Sequence, residues 1–146
     1  MHNLNPISPL GNTKPMSEEF GSYTLSEITS YSLASFTLRK GTESDARKII
    51  EQFIQGSLPD IMTSNFGKIS SFWIGPSQWL IEAPMETHED LAGELTEISN
   101  GKASVTEQTD AWCRFDLNGQ ELASPLALLC NVDVPVFKGG EVTRCQ

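Results

Sequence analysis

The sequence is poor in the residues that carry most metal and nucleophile chemistry. It has two histidines, His2 and His88, and three cysteines, Cys113, Cys130 and Cys145, with no Cys-x-x-Cys pair. An odd cysteine count without close pairs fits neither a disulfide framework nor a zinc site, so reduced thiols in a cytoplasmic protein are the expectation. Basic residues are scarce as well: ten Lys and Arg stand against 19 Asp and Glu, for a net charge of -9. Phosphate backbones and anionic bilayers both select clustered positive charge, which argues against nucleic acid and membrane surfaces as partners. No run approaches the ~20 apolar residues that span a bilayer, and Met1–Phe20 lacks the basic start and apolar stretch of a secretory signal. Also missing are Gly-x-Gly-x-x-Gly, Gly-Lys-Ser/Thr and Gly-x-Ser-x-Gly, which removes the common phosphate loops and the nucleophile elbow.

What is present suits one domain of 146 residues with a sizeable core. Met1 to about Glu27 is rich in Asn, Pro, Ser and Gly with aperiodic apolar residues, and reads as a disordered or partner-ordered tail over 1–27. From Ile28 the pattern changes. Ala34, Phe36 and Leu38 alternate with Ser35, Thr37 and Arg39, the period of a half-buried strand. Thr42 and Asp45 resemble a capping box, behind which Ala46, Ile49, Ile50, Phe53 and Ile54 form one apolar helix face that stops at Gly56.

Two runs, Ile69–Ile74 and Trp79–Ala83, flank Gly75-Pro76-Ser77-Gln78 and predict a hairpin, because Pro76 pre-sets φ for a tight reversal. Phe72 and Ile74 are expected to share one strand face, and Trp79, Ile81 and Ala83 one face of the next. A second helix is expected from Thr87, with Leu91, Leu95 and Ile98 inward and an end at Asn100-Gly101. Ala103–Val105 and Trp112–Leu117 read as one bent strand or two short ones. A third helix follows over about Gln120–Cys130, shortened or kinked by Pro125. The order β-α-β-β-α-β, then a helix, predicts an α+β domain over 28–146. Its layout is a ferredoxin-like split βαβ antiparallel sheet with helices on one face and an incomplete C-terminal part.

Candidate catalytic groups are few, and each has a plainer explanation. His88 sits in an acidic helix start where a surface imidazole is ordinary. Cys113 shares a strand face with Phe115 and Leu117 and is expected in the core. Cys130 has no basic neighbour in sequence to lower its pKa. Glu82 with Glu86, and Glu94 with Glu97, are the spacing of solvated surface acids. No catalytic, cofactor-binding or metal-ligating residue is therefore assigned. The more informative segment is the aromatic hairpin: if Phe72 and Ile74 face the core, Trp73 lies on the open side. Trp73, Pro76 and Trp79 are the tentative interface residues, the alternative being cover of Trp73 by the C-terminal part of the chain.

The run Trp73-Ile-Gly-Pro-Ser-Gln-Trp-Leu-Ile81 resembles the Gly-Pro-x-x-Trp-Leu signature of the gamma subunit of heterotetrameric sarcosine oxidase. Asn118-Gly119, Cys130 and Asp133, and then Phe137, Gly139-Gly140 and Arg144, are similar to later segments of that family. Glu107 and Thr109 stand where the family usually has Asp and Ser, and the chain ends where members continue through further strands and a helix. The resemblance implies a role in oxidative demethylation of sarcosine to glycine, with the one-carbon unit passed to tetrahydrofolate or released as formaldehyde. It implies a structural gamma subunit without cofactors of its own, with FAD, FMN, NAD, zinc and tetrahydrofolate on alpha, beta and delta partner subunits. The family is related to the folate-binding domain of aminomethyltransferase. The alternative is accordingly a folate-binding one-carbon-transfer domain, with Glu107 and Asp133 as candidate inward carboxylates. A free-standing regulatory domain of ferredoxin-like type is a third possibility.

Overall fold

A computed structural model describes residues 7–143. In chain order its elements are β1 (Ser17–Phe20), β2 (Tyr23–Ile28), β3 (Tyr31–Leu38), α1 (Glu43–Ile54), β4 (Ser64–Asn65), β5 (Ser70–Gly75), β6 (Gln78–Pro84), α2 (Leu91–Ser99), β7 (Ala103–Glu107), β8 (Arg114–Gly119) and α3 (Ala123–Leu129). They are divided between two compact units, one from 7–29 with 111–136 and one from 30–110 with 137–143. The smaller unit takes residues both from the expected tail, 1–27, and from the expected domain, 28–146.

The larger unit holds an antiparallel sheet in the order β4-β5-β6-β3-β7. Cross-strand pairing lines up Trp73, Trp79, Phe36 and Val105 in one row, and Ser71, Ile81 and Ala34 in the next. Side chains in register share a face, and onto this face α1 brings Ala46 and Ile50 while α2 brings Leu91 and Leu95. Phe36, Ile50, Ile81, Leu91 and Leu95 are fully buried there, each contributing about 1.5–3 kcal/mol of transfer free energy.

Pairing also inverts the expected face of β5. Because Trp73 lies directly opposite Trp79, Trp73 turns toward the helices and packs on the core, and Phe72 takes the other side. Strand faces follow register, and register here is set by β6, whose Trp79, Ile81 and Ala83 are all buried. The turn itself is the expected one, Pro76-Ser77, with Ser77 in the left-handed region at φ 56° and a register shift between Trp73 and Gly75.

The helix ends differ from expectation in instructive ways. Thr42 precedes α1 but makes no cap; its hydroxyl donates instead to the carbonyls of Lys102 (2.8 Å) and Arg39 (3.1 Å). The helix closes at Gln55, left-handed at φ 55°, one residue before Gly56. α2 begins at Leu91 rather than Thr87, because Asp90 accepts from the Gly93 amide at 2.9 Å, while the Thr87 and His88 amides close a turn on the Pro84 carbonyl. Ile98 is exposed and Ser99 takes the buried place expected of it.

The smaller unit contains the antiparallel sheet β1-β2-β8. Ser17–Phe20 and Tyr23–Ile28 are thus strands where a tail is expected over 1–27. Tyr23 and Leu25 have partners on both β1 and β8, and Glu27 on β8, a set too irregular in hydrophobicity for a period-2 signal. β7 and β8 belong to separate sheets, parted by a 3-10 turn at Thr109–Ala111. Gly119, paired with Tyr23, has φ +156°, and a Cβ there would meet the Ser22 carbonyl at 2.8 Å. Only glycine fits that approach. α3 is short, with Pro125 in its first turn, where a missing amide costs little.

The stretch after α3 returns to the larger unit. Glu141 bridges Thr63, the Ser64 amide donates to the Gly140 carbonyl at 2.8 Å, and the Val142 amide to that of Met62 at 2.9 Å. The Gly139-Gly140 pair makes this return with φ of 106° and 87°.

Candidate functional site

The larger unit contains a cavity of about 220 Å³ between the end of α1 and the loop that enters β5. Phe53 and Ile54 from α1, Phe66 from the loop and Ile69 at its end form apolar walls. Gln55, Ser57, Asn65 and Ser71 add polar groups, and Lys68 is the charged side chain among the lining residues. The Asn65 side-chain amide ties the two rims together by donating to the Ser57 carbonyl at 2.6 Å. Phe66, 72% exposed, is held at the mouth by an edge-to-face contact with Phe72, ring centroids 5.6 Å apart. Ser71 is the buried residue of the lining, and its Oγ has no hydrogen-bond partner among the described residues.

Nothing in the periodicity of 55–69 predicts this pocket, since the segment carries no repeat and reads as a connection. One signal is present in retrospect: Ser70-Ser71 are small polar residues inside a strand otherwise apolar from Ile69 to Ile74.

The tentative interface residues separate. Pro76 is exposed at the hairpin tip. Trp79 is 4% exposed, donates its indole N–H to the Pro59 carbonyl at 2.9 Å and lies under the Arg47 guanidinium, 5.1 Å from the ring centroid. Trp73 is half-buried on the same core. Both tryptophans thus face inward, correcting the expectation that Trp73 stands on the open side.

The groups weighed for chemistry are scattered. His88 Nδ1 lies 2.7 Å from Glu94 Oε2, and its ring meets Phe53 edge-on at 5.7 Å. Glu82 is buried on β6 while Glu86 and Glu97 are exposed, so neither acidic spacing produces a facing pair. Cys113 is exposed, not in the core, because β8 starts after it and the alternation does not include it. The Cys130 thiol lies 3.2 Å from the Leu126 carbonyl and donates to it. Cys145 and Arg144 lie outside the described residues. Glu107 accepts from the Thr109 amide at 2.6 Å in the larger unit; Asp133 is exposed in the smaller one; neither lines the cavity. Among the described residues no group of three or more His, Cys, Asp or Glu is placed to hold a metal, and no helix is long and apolar enough to cross a membrane.

Two carboxylates have displaced pKa values. Burial alone would raise that of Glu27, but the amide N–H groups of Met16 (2.8 Å) and Leu10 (2.9 Å) donate to it and bring it below the ordinary range. The Ser8 hydroxyl adds to this without reaching hydrogen-bond geometry. Glu141 is lowered chiefly by the Lys138 amide, against some desolvation, with help from the Gly139 amide. Sequence reading assigned neither, because both depend on amides that only the folded backbone brings together.

Exposed large apolar side chains include Ile61, Met62 and Phe66 around β4, and Leu128 and Leu129 on α3.

No protein-family model matches the sequence, and no curated protein matches it. In backbone, 77% of the chain superposes on a chain of heterotetrameric sarcosine oxidase from Corynebacterium sp. U-96, solved in complex with pyrrole 2-carboxylate, with a TM-score of 0.63 and 17% identity. This chain spans 57% of the length of that one. At such identity the likeness is one of fold.

Proposed function

We propose that this chain is an accessory, non-catalytic subunit of a sarcosine oxidase assembly, in the place of the gamma subunit. The observation that carries the reading is the backbone likeness, at a TM-score of 0.63, to a chain of a heterotetrameric enzyme of that kind. The Gly75-Pro76-x-x-Trp79-Leu80 turn points the same way: its proline sets the hairpin and its tryptophan anchors the core. The order β7-β3-β6-β5, with α1 and α2 on one face, supports a ferredoxin-like split βαβ layout for the larger unit. Exposed apolar groups around β4 and on α3 are surfaces that partner subunits would cover.

In this reading the flavins, NAD, zinc and tetrahydrofolate reside on alpha, beta and delta subunits in the cytoplasm, and this chain contributes contact surface to them. Affinity purification of the tagged chain from its native cell tests the proposal. A yellow, flavin-bearing complex at fixed stoichiometry is expected; recovery of the chain alone would sink it. Saturable micromolar binding of tetrahydrofolate by the purified chain would favour a folate-binding domain instead.

A further inference from the structure

We infer that residues 138–142 form a strap, latched by the Glu141 carboxylate, that covers the outer edge of β4 and keeps it from pairing with a second copy of this chain. The strap is a strand in miniature, added where β4 ends the five-stranded sheet. Glu141 lies opposite Thr63 in an antiparallel bridge. Two backbone bonds flank it: the Ser64 amide donates to the Gly140 carbonyl at 2.8 Å, and the Val142 amide to the Met62 carbonyl at 2.9 Å. The Ser64 hydroxyl donates to the same Gly140 carbonyl at 2.9 Å. On the sheet side, the Trp73 amide donates to the Thr63 carbonyl at 3.0 Å. Strap and sheet thus hold Met62–Ser64 by different backbone groups, and the strap can leave without breaking the bond to β5.

The shape of the strap depends on one group. Each Glu141 carboxylate oxygen accepts one amide, that of Lys138 or that of Gly139, both at 2.7 Å. Bonds to an ionised acceptor are roughly twice as strong as neutral ones. Gly139 and Gly140 stand at φ of 106° and 87°; glycine reaches many other conformations, so the carboxylate is what selects this one. Met62, Thr63 and Ser64 opposite carry no charge, and the Lys138 ammonium favours the ionised carboxylate. The pKa of Glu141 is accordingly lowered, first by the Lys138 amide. The latch is therefore closed above the ordinary glutamate range and loosens as pH falls through the lower, folded value. Opening leaves the Ser64 amide and Met62 carbonyl unpaired, beside Ile61, Met62 and Phe66, which are 71%, 51% and 72% exposed. An uncovered strand edge with apolar neighbours is a template for another chain, and in a solution of this protein that chain is its own copy.

Amide exchange of the isotope-labelled full chain at neutral pH tests the latch in Glu141→Gln and Glu141→Ala. Glu86→Gln is the control, because it removes the same charge from an exposed site. Both Glu141 variants should exchange the Ser64 and Val142 amides roughly three- to tenfold faster than the parent, the worth of one hydrogen bond. The Trp73 amide should keep its protection. In sedimentation velocity at rising concentration, the Glu141 variants should associate more strongly than Glu86→Gln. Unchanged exchange at Ser64 and Val142 overturns the inference. So does a Trp73 amide that loosens with them, since β4 then opens as a whole. Association no stronger than that of Glu86→Gln overturns it as well, by showing that the covered edge pairs with nothing when freed.

Discussion

Trp79 donates its indole N–H to the carbonyl of Pro59 at 2.9 Å, joining the centre of β6 to the loop that follows α1. Both residues are buried, so the bond replaces water that neither group can reach. Trp79→Phe keeps a ring under Arg47 but leaves the Pro59 carbonyl unpaired, and should cost about 1–3 kcal/mol. Trp79→Ala, which also opens a cavity, should cost about 3–5 kcal/mol. Urea unfolding followed at the remaining tryptophans measures both. If Trp79→Phe were as stable as the parent, the indole bond would have no energetic role.

Trp73 sits across from Trp79 on the same core, so Trp73→Ala should act on folding before it acts on association. A drop of at least 1 kcal/mol is expected for a half-buried aromatic losing its packing. The measurement is paired: thermal melting of the isolated chain, and co-purification of any partner under conditions where the variant is folded. An unchanged melting temperature with loss of the partner would return Trp73 to an interface role.

These two positions show what the sequence can and cannot convey. The hairpin is legible because Pro76 and the period-2 apolar runs are local signals, and α1 is legible because Ala46, Ile49, Ile50, Phe53 and Ile54 repeat at helical spacing. Which face of β5 turns inward is not local: Phe72 with Ile74 and Trp73 with Ser71 are both plausible sets, and only pairing with β6 selects between them. The same holds for β1 and β2. β1 pairs only with β2, and the long-range partner of β2 is β8, almost a hundred residues away by register of Tyr23 with Gly119; no composition window spans that distance. The cavity escaped because its walls come from the end of α1 and from the aperiodic stretch before β5, which only the fold brings together.

Asp90, and not Thr87, starts α2. Its carboxylate caps the Gly93 amide, and a Cβ at Gly93 would meet that carboxylate and displace it from the cap. Asp90→Ala should therefore cost about 0.5–2 kcal/mol. Thr87→Ala, which touches only an exposed turn, should stay within about 0.5 kcal/mol of the parent. Equal losses in the two variants would move the helix start back to Thr87.

Leu128 and Leu129 are adjacent on α3 and almost wholly exposed, at 88% and 77%. Nothing in the fold of the smaller unit uses them, so replacing both by Ser should change stability by no more than about 0.5 kcal/mol. If α3 is a contact surface, the double variant should lose a co-purifying partner while its melting temperature holds, and should stay soluble at higher concentration than the parent. Retention of the partner would confine any assembly surface to other parts of the chain.

The buried Glu27 carboxylate makes the smaller unit acid-sensitive. Its pKa is lowered by the Met16 and Leu10 amides in spite of desolvation, so folding favours the ionised form. Stability from this group is then fully present above the ordinary glutamate range and is lost as pH falls through the lower, folded value. The segment from Leu10 to Met16 should accordingly detach from β2 at acid pH, before the larger unit unfolds. Amide exchange at Leu10 and Met16, measured as pH is lowered, should accelerate beyond the intrinsic rate, while amides of β3 and β6 stay protected. Glu27→Gln keeps the shape but weakens the acceptor, and should show the loosened exchange already at neutral pH with little further change on acidification. If the variant instead kept both the protection and the acid transition of the parent, another carboxylate would have to be responsible.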